Sequence, residues 1–186
     1  MKILMTAFEP FGGDTKNAAM TAVEHTAAPS GAQLVKVILP TVFGLAGEKL
    51  HEAILREQPD LVICVGEDSL GTPVAAERVA INVMDAKIPD NAGNQPVEEP
   101  VFADGPAAYF SKLPIRKMVA AMKNAGYDAA ISNSAGTYVC NSLMYSLLYF
   151  IDREFPQLSG GFIHVPADRD GSLRSAHAIT EALKVL

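Results

Sequence analysis

Tryptophan is absent from this 186-residue sequence, aromatic residues make up only 7% of it, and it holds just two cysteines and four histidines. Cys64 and Cys140 are too few for a disulfide framework, and neither belongs to a closely spaced pair that could seed a zinc site. His25, His51, His164 and His177 include no two at metal-ligand spacing, and no acidic helper motif accompanies them, so no metal centre is expected. Basic runs are missing as well. Fifteen scattered Lys and Arg stand against twenty-one Asp and Glu, a net charge of −6, with nothing to release counterions from a nucleic-acid backbone. No apolar stretch approaches a membrane span, and the opening Met1-Lys2-Ile3-Leu4-Met5-Thr6 turns polar by Glu9, unlike a secretory leader. The expectation is a cytoplasmic chain that binds neither nucleic acid nor membrane.

What is present suits one compact domain over residues 1–186, since 49% of residues are hydrophobic and 19% charged, a balance that argues against disorder. Short β-rich runs, Lys2–Ala7, Leu34–Leu39, Leu61–Val65, Val79–Val83, Ala129–Ser132 and Gly161–Val165, alternate with helical patterns. The helical patterns are Ala18–Thr26, Val42–Arg56, Ile115–Asn124, Val139–Phe155 and Leu173–Val185. Several strands are continuously apolar, as strands buried on both faces are. The order predicts an α/β fold, a three-layer αβα sandwich around a mostly parallel twisted sheet, with a mixed sheet left open. One segment breaks the rhythm. Met84 to Pro106 carries four of the twelve prolines and the turn run Asp90-Asn91-Ala92-Gly93-Asn94, and reads as a long ordered loop of the kind that often serves binding.

Cys140 follows a polar turn, Asn133-Ser134-Ala135-Gly136-Thr137-Tyr138, and opens an apolar helix. Free amides and the helix dipole at such a position favour a thiolate and can bind an oxyanion forming beside the sulfur, although a small buried packing role fits the same context. Cys64, inside the apolar run Leu61-Val62-Ile63-Cys64-Val65, reads as packing. A thiol nucleophile needs a base. His164 lies near the end of a strand-like run where α/β folds collect functional groups, while the other three histidines fall on helical segments among polar or small residues. A base in turn needs an orienting carboxylate, and Glu77, Asp85, Asp90, Glu98 and Asp168 all remain candidates on spacing. The glycines of Phe8-Glu9-Pro10-Phe11-Gly12-Gly13 fit neither a P-loop nor a dinucleotide fingerprint, but Phe8 and Phe11 could wall a small apolar pocket. Asp168-Arg169-Asp170-Gly171 lacks the remaining ligands of a calcium loop and reads as a helix-entry turn.

Five stretches together resemble the pyroglutamyl peptidase type I (pyrrolidone-carboxylate peptidase) family of cysteine peptidases. They are Phe8 to Gly13, Glu77 to Asn82, Ile88 to Pro96, Ser132 to Asn141 and Gly161 to Pro166, in the family's order and spacing. The resemblance implies a Glu–Cys–His set at Glu77, Cys140 and His164, and removal of N-terminal pyroglutamyl residues from peptides through a thioester, with no cofactor. It also implies apolar pocket walls at Phe8, Phe11 and Val139, peptides with N-terminal pyroglutamate as partners, and a homodimer or homotetramer. Two departures stand out. Where the family usually reads Val-Gly-Gln-Ala-Gly-Gly-Arg this chain has Val65-Gly66-Glu67-Asp68-Ser69-Leu70-Gly71, and Lys87 replaces a common arginine. Glu67 thus becomes a candidate acceptor for the lactam N–H. Alternative expectations are a thiol hydrolase with acyl specificity shifted by the Glu67–Gly71 loop, or a binding protein without turnover.

Overall fold

The computed structural model describes residues 1–69, 73–167 and 172–186, the Ser172 side chain aside, and these form eight strands and five helices that alternate except for four consecutive strands in the middle of the chain. The strands are β1 (Lys2–Phe8), β2 (Gln33–Leu39), β3 (Leu61–Asp68), β4 (Val74–Glu77), β5 (Val79–Ile81), β6 (Ala108–Phe110), β7 (Ala129–Ser132) and β8 (Ser159–Pro166). The helices are α1 (Ala18–His25), α2 (Leu45–Glu57), α3 (Ile115–Asn124), α4 (Val139–Arg153) and α5 (Ser172–Leu183). Six strands form one sheet in the order β2-β1-β3-β8-β4-β7. β1, β2, β3 and β8 pair in parallel, as do β4 and β7, whereas β4 meets β8 antiparallel, so the sheet is mixed at that seam.

The continuously apolar strands are the central ones. β1, β3 and β8 are buried along nearly their whole length because helices cover both faces. Alternate side chains divide between two cores. Ile3, Met5, Ile63, Val65 and Ile163 pack under α1, α3 and α5. Leu4, Val62, Cys64 and Phe162 pack under α2 and α4. Each such aliphatic or aromatic side chain contributes roughly 1.5–3 kcal/mol on burial, so the two cores are the main stabilising term.

The expected strand Val79–Val83 is corrected by this topology. Val74–Glu77, not singled out as a strand from the sequence, is the one that enters the main sheet, between β8 and β7. Val79–Ile81 leaves the sheet after Arg78 and pairs with β6 as a separate two-stranded ribbon. The expected long loop includes little regular structure but is heavily cross-linked. A Met84–Glu99 bridge closes its base. Buried Asp90 accepts hydrogen bonds from the amides of Ala92 (2.9 Å), Asn94 (2.8 Å) and Phe43 (2.9 Å).

Candidate active site

Cys140 is the second residue of α4, where the chain turns into the helix at Tyr138 with no side-chain cap. The first-turn amides therefore remain available to a ligand at the sulfur. The sulfur sits over β3. Gly66 faces it, and a Cβ at that position would stand 2.8 Å from Sγ and 2.7 Å from Cζ of buried Phe162. Only a residue without a side chain leaves room for the thiol there.

β8 supplies the imidazole from beside Gly66, since Gly66 and His164 are register partners across β3 and β8. His164 is 8% exposed and its ring lies 4.8 Å from that of Phe162. Across the antiparallel seam His164 is paired with Ala75, so Glu77, two residues along the same face of β4, is its diagonal neighbour. The Nδ1–H of His164 donates to Oε1 of Glu77 at 2.7 Å, an assignment set by a carboxylate that can only accept. Glu77 is 1% exposed, and its Oε2 has no hydrogen-bond partner among the described residues. With Nδ1 engaged, Nε2 is the nitrogen left for the hydrogen bond to Cys140.

Burial, the largest influence on His164, disfavours the imidazolium. The hydrogen bond and charge of Cys140, and then those of Glu77, outweigh it and raise the pKa to about 10. The arrangement is a buried relay from carboxylate through imidazole to sulfur. It can hold a proton on the ring beside a nucleophilic sulfur and deliver that proton to a leaving group. By contrast Cys64, fully buried beneath the site, has its thiol pushed up to about 12, mainly by burial.

A small cavity of about 40 Å³ opens on Cys140 and is walled by Phe8, Phe11, Tyr138 and Val139, with Asn17, Thr41 and Glu67 as its polar members. Phe43 stands edge-on to Tyr138 at 5.4 Å, and Phe11 lies 6.2 Å from it. Glu67, at the end of β3, accepts the amide N–H of Ala18 at 2.5 Å, so its carboxylate rests on the first turn of α1. Every site residue expected from the sequence is thus near Cys140: Glu77 and His164 in the relay, Phe8, Phe11, Glu67 and Val139 around the cavity.

The other described candidates fall elsewhere. Asp85 and Glu98 are exposed, Asp90 braces the 88–96 loop, and Asp168 lies outside the described residues, as do Leu70 and Gly71 of the Glu67–Gly71 loop. His25 bonds to the carbonyl of Thr21, His51 pairs with Glu154 at 2.8 Å, and His177 is exposed. Lys87 is also exposed. Sequence reasoning passed over Gly66 and Asn141. Asn141 ties the entry of α4 to the β5 segment through Ile81 N–H and C=O (both 2.9 Å) and Val83 C=O (3.0 Å). The Gly66 signal was a lone glycine ending an apolar strand. A larger hollow of about 850 Å³ between α2, α4 and the 94–102 segment contains none of Glu77, Cys140 and His164.

The family model described as Pyroglutamyl peptidase matches residues 1–173. The chain is similar to the pyrrolidone-carboxylate peptidase of Thermosipho africanus, 54% identical over 167 residues that cover 89% of this chain and 82% of that protein. Pyrrolidone-carboxylate peptidase 1 of Streptococcus pneumoniae is 52% identical over 167 residues, 89% of this chain and 78% of that protein. Among solved structures, pyroglutamyl peptidase I of Bacillus amyloliquefaciens superposes with a TM-score of 0.94 at 42% identity, covering 98% of this chain and 95% of that one. The pyrrolidone carboxyl peptidase of Thermococcus litoralis gives 0.93 at 35% identity, covering 99% and 92%.

Proposed function

Since the chain belongs to the pyroglutamyl peptidase family, we propose that it is a cysteine peptidase that removes N-terminal pyroglutamyl residues from peptides, with Cys140 as nucleophile, His164 as acid–base and Glu77 as the orienting carboxylate. The observation that carries the residue assignment is the buried 2.7 Å hydrogen bond from His164 to Glu77, with Cys140 the strongest favourable influence on the protonated form of the same imidazole. The thiolate attacks the pyroglutamyl carbonyl carbon, and the first-turn amides of α4 receive the developing oxyanion. His164 gives its proton to the leaving amine as the C–N bond breaks, which leaves a thioester. Water attacks the thioester, His164 takes the proton, and the thiolate returns. Every group in this cycle is a side chain, a backbone amide, substrate or water.

Phe8, Phe11 and Val139 form the walls for the lactam ring, and Glu67 accepts its N–H. The relatives from Thermosipho africanus and Streptococcus pneumoniae both carry the peptidase name, which favours neither a binding protein without turnover nor displaced acyl specificity. The test is release of coumarin from a pyroglutamyl-coumarin amide by wild type and by Cys140→Ala. Wild type alone should release it, and equal release by the two proteins would overturn the reading.

The chain's setting and assembly are part of the same proposal. No helix among the described residues is long and apolar enough to cross a membrane. A cytoplasmic homodimer or homotetramer accords with the exposed apolar side chains Val97 and Phe110, each 68% exposed, which assembly would cover. Light scattering after size exclusion tests it, a monomer at micromolar concentration being the contrary result.

A further inference from the structure

Among the described residues, Glu67 is the one carboxylate lining the Cys140 cavity, and no described Lys, Arg or His lines it. Its Oε2 takes the Ala18 N–H, and no other described group donates to the carboxylate. The remaining polar members are already committed. Asn17 accepts from Ala19 N–H and donates to the carbonyl of Glu9, Thr41 donates to that same carbonyl, and the Tyr138 hydroxyl donates to the carbonyl of Pro89. Among the described residues the pocket therefore combines apolar ring walls with one carboxylate acceptor and no basic side chain.

We propose that this pocket also accepts an N-terminal prolyl residue, so that the protein releases proline from peptides as a second activity, with Glu67 as the residue that selects it. The proposal rests on the pyroglutamyl reading, because it uses the same pocket and nucleophile. Pyroglutamyl and prolyl groups share a five-membered ring with its nitrogen on the carbon that bears the scissile carbonyl. They differ at two points. The lactam nitrogen is neutral with one N–H, whereas the prolyl nitrogen is a cation with two. The lactam carbonyl is replaced by a methylene, which asks for no donor and suits a cavity whose hydroxyls already donate elsewhere.

A carboxylate facing an apolar cavity is stabilised by a ligand that brings positive charge, and the pyrrolidinium adds an ion pair to the hydrogen bond that either ring nitrogen can donate to it. A neutral amide at position 67 would reverse the preference, leaving the pyrrolidinium cation desolvated without a counter-charge. The chemical steps are unchanged. Sulfur bonds to the prolyl carbonyl carbon, the C–N bond to the leaving amine breaks with the proton from His164, and water releases proline from the thioester.

The experiment compares prolyl-, pyroglutamyl- and cyclopentanecarbonyl-coumarin amides with wild type, Glu67→Gln and Cys140→Ala. Glutamine keeps an acceptor for the Ala18 N–H, so the variant should fold. Wild type is expected to release coumarin from the prolyl substrate above the Cys140→Ala background, with the nitrogen-free ring cleaved far more slowly. The prolyl-to-pyroglutamyl ratio of kcat/KM should fall on the order of 10- to 100-fold in Glu67→Gln. Pyroglutamyl release with prolyl release at background overturns the inference and leaves the proposed function standing. An equal ratio in wild type and Glu67→Gln also overturns it. Release from neither substrate defeats both readings.

Discussion

The backbone of Gly66 is the floor on which the sulfur of Cys140 rests: a Cβ there would lie 2.8 Å from Sγ, closer than side-chain carbons approach sulfur in folded proteins. Its other neighbour, Phe162, is completely buried and closed in on the α2/α4 side, so the strain cannot all be relieved away from the thiol. Gly66→Ala is expected to lower stability by about 1–3 kcal/mol. Displacement of the thiol by a fraction of an ångström should also reduce kcat on the order of 10- to 100-fold. Urea denaturation in the wild-type and Cys140→Ala backgrounds checks the cause, because deleting the sulfur should recover part of the lost stability.

Glu77→Gln keeps size and burial but removes the charge on Nδ1 of His164. An amide turned to present its NH₂ would also favour the tautomer with the proton on Nε2, opposite to the one a base at Cys140 requires. The expected result is a fall in kcat of roughly 10²- to 10⁴-fold with KM little changed. Steady-state kinetics on the pyroglutamyl substrate measures both, and a loss confined to KM would contradict the orienting role.

The protonation of His164 makes a pH prediction with a definite sign. Its pKa in the folded protein, about 10, lies above the ordinary histidine value of 6.5. Its contribution to stability is therefore fully present below 6.5 and is lost as pH rises through about 10. NMR titration of the imidazole should give a midpoint near the raised value in wild type and a lower one in Cys140→Ala, which lacks the sulfur's hydrogen bond and charge. Equal midpoints would show that the sulfur does not hold the proton on the ring.

Asp90 concerns the fold around the site. Its carboxylate joins Phe43 to Ala92 and Asn94, and Phe43 in turn packs on Tyr138 at the cavity wall. Burial raises its pKa, but hydrogen bonds from Asn94, Phe43 and Ala92 prevail and lower it. Its stabilisation is thus present above the ordinary carboxylate range and is lost as pH falls through the depressed value. Asp90→Ala strands several amide donors and should cost about 2–4 kcal/mol. Chemical denaturation, with limited proteolysis in the 88–96 loop, is the check.

How far the site was legible in the sequence depends on the kind of contact. Cys140 announced itself through a polar turn followed at once by an apolar helix, a local pattern. His164 could be preferred over three other histidines because it ended a strand-like run. Glu77 was one carboxylate in five until the family motifs were considered, since its link to His164 spans 87 residues of sequence. Val74–Glu77 escaped notice as a strand for a related reason. Its Val-Ala-Ala-Glu composition carries weak β propensity, and it is held as a strand by β8 and β7 on either side.

The sequence by itself determined the α/β alternation, the continuously apolar central strands, the helix that begins at Val139 and carries Cys140 in its first turn, and the absence of any dense metal-ligand or basic cluster. All of these arise from residues close together in the chain, where periodicity and turn chemistry act directly. Only the tertiary structure decided that β4 runs antiparallel to β8, and so that Glu77 lies diagonal to His164. It alone placed Gly66 beneath the sulfur and the Glu67 carboxylate on the first turn of α1. Those are relations between strands and helices far apart in sequence, and which side chains they bring together is set by sheet order and register.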